Sequence, residues 1–137
     1  MNHDLAPQPI RARRTIREIK VIPYGFSDVG ILCEPCADDI CRAIREGRLE
    51  TRNFQNDLPE LQAEWQAASQ GGKDLAALRR VGTNYHAQRI AYFVVHGWED
   101  PKYPIRLDAQ SALHDGGHRL RAALFKGTTE IDVIITP

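Results

Sequence analysis

The residues best suited to chemistry are His114-Asp115-Gly116-Gly117-His118-Arg119-Leu120-Arg121, which follow a short apolar run and precede the helix-forming "AALFKG". A helix N-terminus presents unpaired N–H groups and about half a positive charge, so an anion placed there is stabilised before any side chain contributes. Gly116 and Gly117 remove the Cβ atoms that would keep a ligand from the backbone. His118 and Arg119 then fall in the first helical turn, the unfavourable end for cations, an arrangement that makes sense with an anion between them.

Each side chain has a distinct capacity. Arg119 offers a planar fork for phosphate oxygens, and Arg121 projects onto another part of the helix surface. His118 donates a hydrogen bond in either protonation state and, with Asp115, is the candidate catalytic group. Asp115 would repel a bare phosphate, so its carboxylate fits a divalent cation, Mg²⁺, bridging it to phosphate. The same letters also read as an ordinary Asp-Gly-Gly turn leading into a helix with solvated arginines.

The elements that must hold this turn are legible on either side. A helix is predicted over "YHAQRIAYFVVHG", capped by Asn84 and stopped at Gly97. "PIRLD" alternates Ile105 and Leu107 with Arg106 and Asp108 as a half-buried strand. "SALHD" forms a second apolar run, "HRLRAALFKG" a helix ending at Gly127, and "EIDVIIT" a closing strand. The predicted order is helix, strand, strand, helix, strand.

Upstream, residues 1–10 read as a loose arm, and "RARRTIREIKVIP" as a strand with basic flanks. "PCADDICRAIREG" has the charge order of a short helix, with acids early and arginines late. "DLPELQAEWQAASQGG" is predicted to be a second helix, with Leu58, Leu61, Trp65 and Ala68 as its core stripe, and "KDLAALRR" a third. Cys33-Glu34-Pro35-Cys36 has half the spacing of a zinc knuckle without the second pair, and reads more simply as small thiols at a helix start.

Composition narrows the function classes. Eighteen basic and eighteen acidic side chains cancel over 137 residues, so no global field favours tight nonspecific binding to nucleic acid or an anionic membrane. The Arg11 to Lys20 segment is the one local basic patch and the candidate DNA contact. No apolar stretch is long enough for a membrane span or signal peptide, so a cytoplasmic protein is expected. The length fits one domain over 11–137.

The sequence "YHAQRIAYFVVHGW", "PIRLD", "LHDGGHRLRAALFKG", "EIDVIIT" resembles the ParB/sulfiredoxin superfamily, including its small phage and mobile-element members. The resemblance covers about residues 84 to 136, with "IREIKVIP" as the family's first strand and 33–83 as a helical insertion. It implies an α+β fold, a small mixed sheet with packed helices. It also implies a turn at Gly116, Gly117, His118, Arg119 and Arg121 that binds the phosphates of ATP or CTP. The preceding helix contributes nucleotide contacts in sulfiredoxins, which adds His86 and Arg89 to the binding set.

Position 117 is glycine where ParB proteins carry a glutamate and sulfiredoxins a cysteine, so neither parent chemistry is implied as it stands. An aspartate before the turn is found in free-serine kinases of this fold, which gives Asp115 a model role with Mg²⁺. The leading expectation is therefore a nucleotide-binding protein, with Mg-dependent hydrolysis or phosphoryl transfer as its chemistry. The rival expectations are a non-catalytic phage- or plasmid-type factor that binds DNA or a host protein, and a ParB-like nuclease.

Overall fold

A computed structural model describes residues 9–19, 27–28, 31–52, 59, 63, 66–67, 75–100 and 104–136 of the chain. It is a mixed α+β structure that divides into two compact units, one from Met1–Ile22 with Gly97–Pro137 and one from Pro23–His96.

The first unit is built on a four-stranded sheet. Strands β1 (Ile10–Thr15), β4 (Ile105–Asp108), β5 (Leu113–Asp115) and β6 (Glu130–Thr136) lie in the order β1-β6-β4-β5. β1 runs antiparallel to β6, β6 parallel to β4, and β4 antiparallel to β5 with a register shift between Arg106 and Leu107. Alternation decides the faces. Ile105, Leu107, Ile131 and Val133 are buried on one side, while Arg106, Glu130 and Asp132 are exposed on the other.

The helix Gly117–Phe125, numbered α3 below, joins β5 to β6 and closes the buried face with Leu120 and Ala123. Its strong helix formers and buried alanines allow close approach to the sheet. Ile16 and Ile19 complete this core. They do not come from a strand. The strand expected over "RARRTIREIKVIP" ends at Thr15, and Ile16–Glu18 form a 3-10 turn with Ile16 N donating to Thr129 O at 2.9 Å. The turn lets two isoleucines three apart enter one core, which strand alternation would have sent to opposite faces. Lys20 and the rest of that expected strand lie outside the described residues.

The second unit holds a short antiparallel hairpin, β2 (Ser27–Asp28) with β3 (Ile31–Leu32), and two helices, α1 (Ala37–Arg45) and α2 (Leu75–His96). α1 matches the expected helix. Cys36 is its N-cap, and Asp39 accepts from Cys36 N at 3.0 Å and from Cys36 Sγ at 3.2 Å, a reciprocal capping arrangement. Ile40 and Ala43 of α1 are buried, as are Leu78, Tyr85, Ala87, Ile90 and Ala91 of α2.

The expected break at Asn84 is absent. α2 runs unbroken for 22 residues through Gly82, Thr83 and Asn84 and stops before Gly97, whose φ is +99°. Asparagine falls short of alanine by only about 0.7 kcal/mol inside a helix, and the apolar side chains buried on both sides of Asn84 outweigh that. The third helix expected over 73–80 is thus the first part of α2. Of the helix expected over 57–72, residues 59, 63, 66 and 67 are described, each helical. The others, including Leu58, Leu61, Trp65 and Ala68, lie outside the described residues. No helix among those described is long and apolar enough to cross a membrane.

Candidate functional site

The glycine turn stands where β5 hands over to α3. Gly116 is the N-cap of α3 and adopts φ +105°, ψ 29°, a left-handed conformation that glycine enters without steric cost. This reversal puts the first-turn N–H groups of Gly117, His118 and Arg119 at the corner expected from the sequence. Leu120 N closes the first helical bond onto Gly116 O at 2.9 Å.

Gly116 is glycine for a second reason. A Cβ there would stand 2.9 Å from Ile105 Cγ1, 3.3 Å from Ile105 Cα and 3.3 Å from Arg119 Nη2. The space above Gly116 is therefore filled by β4 and by a guanidinium, which corrects the idea that this glycine keeps the backbone bare for a ligand. What the close approach does show is where Arg119 goes. Its side chain folds back beneath the turn, so a permanent cation and the positive end of α3 share one corner. Arg119 is 9% exposed and His118 half-buried; both are engaged in contacts within the structure.

Arg119 also lines a cavity of about 100 Å³, together with Arg11, Trp98, Glu99, Asp100 and Asp132. Pro104, Ile105 and Ile131 give it apolar walls. The Trp98 ring packs against the core of the unit, while its Nε1–H is buried with no hydrogen-bond partner. Buried indole N–H groups are ordinarily paired, and leaving one unpaired costs about 1–3 kcal/mol.

The other expected residues have separate surroundings. Arg121 donates to Gly117 O at 3.0 Å, so part of its fork is spent on its own helix. Asp115 is exposed at the end of β5, opposite Arg106, and lines a broad cavity of about 550 Å³ with Arg106, Leu107, Asp108, His114 and Thr136. Asp108 there accepts from Gln110 N at 2.8 Å and Ala112 N at 3.0 Å, holding the β4–β5 turn. Among the described residues no three or more His, Cys, Asp or Glu side chains are grouped to hold a metal ion.

His86 and Arg89 belong to the second unit. His86 is 7% exposed and meets Tyr85 edge-on at 5.1 Å. Arg89 donates to Glu50 O at 3.3 Å and lies over the Phe93 ring at 4.7 Å. Both therefore have structural partners within that unit, and Tyr85 Oη adds a bond to Arg52 O at 3.0 Å.

In the basic segment, Arg13 is paired with Asp132 at 2.9 Å and with Glu130 at 3.6 Å, and Arg14 donates to Arg13 O at 3.2 Å. The hydrogen bond to Asp132 is the main reason the Arg13 pKa is raised above its ordinary value. Of the cysteines, Cys33 is buried, Cys41 half-buried and Cys36 exposed, and all three are free thiols.

Comparison of the chain with protein-family models, with curated proteins and with solved structures finds no match. Trp98, with Glu99 and Asp100 beside it, is what sequence reasoning missed. The signal available was a large aromatic next to two acids just ahead of the strand that borders the glycine turn.

Proposed function

We propose that the Gly116–Arg119 turn binds the phosphates of a nucleotide. The observation that carries this reading is the 3.3 Å approach of Arg119 Nη2 to the Cβ position of Gly116. It sets a guanidinium beside the N-terminus of α3, and two positive features at one corner are stabilised by an anion that both can meet. The first-turn N–H groups supply the anion nest, His118 a further donor, and Arg119 the charge.

The ParB/sulfiredoxin resemblance belongs to the same proposal, since the D-G-G-H-R turn of that resemblance coincides with this corner. Hydrolysis or phosphoryl transfer is the chemistry that would follow, with Asp115, directly before the turn, as the candidate carboxylate and any Mg²⁺ arriving with the phosphates.

The test is a thermal-shift panel of inorganic triphosphate, ATP, CTP and GTP, each with and without Mg²⁺. Wild type is compared with Arg119→Ala and with His118→Ala, which is the gentler change should the first fail to fold. A ligand at a hundredfold excess over its Kd stabilises by about 2.7 kcal/mol, several degrees for a domain of this size. Wild type should respond and the variants should not. A wild-type protein unmoved by every ligand would overturn the reading in favour of a non-catalytic interaction protein.

A further inference from the structure

We propose that the cavity along the exposed side of β4 seats the ribose of the bound nucleotide, with Asp108 accepting from the 2′-hydroxyl, so that ribonucleotides bind in preference to deoxyribonucleotides. The inference rests on the phosphate reading above and adds the sugar, which phosphate contacts do not distinguish.

Gly116 follows Asp115, and Asp115 stands opposite Arg106 in the β4–β5 register. Asp108 lies two residues further along β4, about 7 Å at the rise of a strand. A separation of that order divides the phosphates of a nucleotide from its sugar hydroxyls. Thr136 of the parallel strand β6 is the lateral neighbour of Asp108. On β5 one extra residue, His114, enters between the pairs Arg106–Asp115 and Leu107–Leu113, and a bulge of this kind bends the strand and re-aims its side chains. Arg106, Leu107, Asp108, His114, Asp115 and Thr136 together line about 550 Å³. That lies within the range of about 300–1,000 Å³ typical of small-molecule sites. Leu107 is fully buried, so the other five set the chemistry.

Asp108 is the best-fixed group in this lining. Its Oδ1 accepts from Gln110 N at 2.8 Å and Ala112 N at 3.0 Å, while its backbone closes the same turn through Ala112 O at 2.9 Å and Ser111 N at 3.0 Å. Oδ2 accepts no hydrogen bond among the described residues. A carboxylate held in this way loses no side-chain freedom when a donor binds it, and a ribose hydroxyl is a donor that carboxylates recognise. A cationic donor would be opposed by Arg106, two residues away on the same strand face. Arg106 stands between the two ends of the ligand and offers its fork to the phosphate next to the sugar. Asp115 stays with the phosphate end, and His114 and Thr136, each able to donate and accept, suit the remaining sugar oxygens. A 2′-deoxy sugar lacks the hydroxyl that Asp108 meets.

Calorimetric titration of the full chain tests the assignment, with inorganic triphosphate, ATP, CTP, their 2′-deoxy forms, adenosine and 2′-deoxyadenosine as ligands in the presence of Mg²⁺. Each ribose form should bind at least about tenfold more tightly than its deoxy partner. Asp108→Asn separates structure from recognition. The amide oxygen still accepts from Gln110 N and Ala112 N, so the urea midpoint should stay in place, but the second oxygen becomes a donor. The ribose advantage should then fall to about twofold or less, with triphosphate affinity unchanged. Should that variant not fold, Thr136→Val, at an exposed position, should narrow the advantage at least about threefold. Equal binding of ribose and deoxyribose forms would overturn the sugar seat and leave the phosphate reading standing, as would a ribose advantage that both variants retain. Adenosine preferred over its deoxy form with no response to triphosphate would uphold the sugar seat and remove the phosphate reading. Failure of every ligand to bind would overturn both.

Discussion

Arg119 Nη2 lies 3.3 Å from the point where a Cβ on Gly116 would stand, and Ile105 Cγ1 lies 2.9 Å from it on the strand side. The turn, the strand and the arginine are fitted to one another around a missing methyl group. Gly116→Ala should therefore cost twice, once for a left-handed backbone and once for the clash with Ile105, about 2–4 kcal/mol together. Gly127 is the internal control. Its φ is +77° with nothing within 4 Å of its Cβ position, so Gly127→Ala should cost only the backbone part, about 1–2 kcal/mol. Urea denaturation of the two variants measures the difference, and equal losses would show that Ile105 yields without resistance.

Asn84 gives a prediction of sign. As an exposed residue inside α2 it should be improved on by alanine, and Asn84→Ala should raise stability by about 0.5 kcal/mol. A helix cap would respond in the opposite sense, losing about 1 kcal/mol. The direction of the shift in the denaturation midpoint separates the two.

Asp39 binds back onto the N-cap of α1 through both the backbone N–H and the thiol of Cys36. Asp39→Ala should lower stability by about 1 kcal/mol, while Asp38→Ala, one residue earlier with an exposed side chain, should change it by less than about 0.5 kcal/mol. Comparable losses at both positions would mean that general helix-end charge, not the capping arrangement, carries the effect.

Arg13 and Asp132 form a close pair between two exposed side chains. The pKa of Arg13 is raised, chiefly by that hydrogen bond. A raised pKa contributes stability below the unfolded value and loses it only as pH climbs through the folded value, far above neutrality. Arg13→Gln should consequently leave the pH dependence of unfolding around neutrality unaltered, and its effect on stability should be small and reduced by salt. A marked change in the slope of stability against pH between about 6 and 8 would contradict this.

Asp115 immediately precedes the turn and lines a cavity with Asp108 and His114, and among the described residues no three or more His, Cys, Asp or Glu side chains are grouped to hold a metal ion. Calorimetric titration of the protein with Mg²⁺ alone should show no saturable heat, because Mg²⁺ holds its waters unless carboxylates and phosphates are presented together. Saturable binding that Asp115→Asn abolishes would establish a preformed metal site.

The elements that frame the site were legible because short-range physics specifies them. Alternation in "PIRLD" and "EIDVIIT" marks β4 and β6, and strong helix formers closed by Gly127 mark α3. The left-handed glycine at the head of α3 follows from a residue that alone takes that conformation freely. Where local signals were weak, tertiary packing overrode them. Asn84 and Gly82 were absorbed into α2 by burial on either side, and Ile16 with Ile19 left the strand pattern for a 3-10 turn that served the core better.

The chain's own letters determined that a glycine turn with histidine and arginine would sit between a strand and a helix, because backbone freedom and helix polarity are properties of residues and their neighbours. Only the folded arrangement decided that Arg119 turns inward to share a cavity with Trp98, that Arg121 spends a donor on Gly117, and that His86 and Arg89 take partners in the other unit. A side chain's direction is set by the residues packed around it: the lining shared by Arg119 and the Glu50 carbonyl met by Arg89 come from distant segments, Gly117 lies one turn back from Arg121, and Tyr85 directly precedes His86.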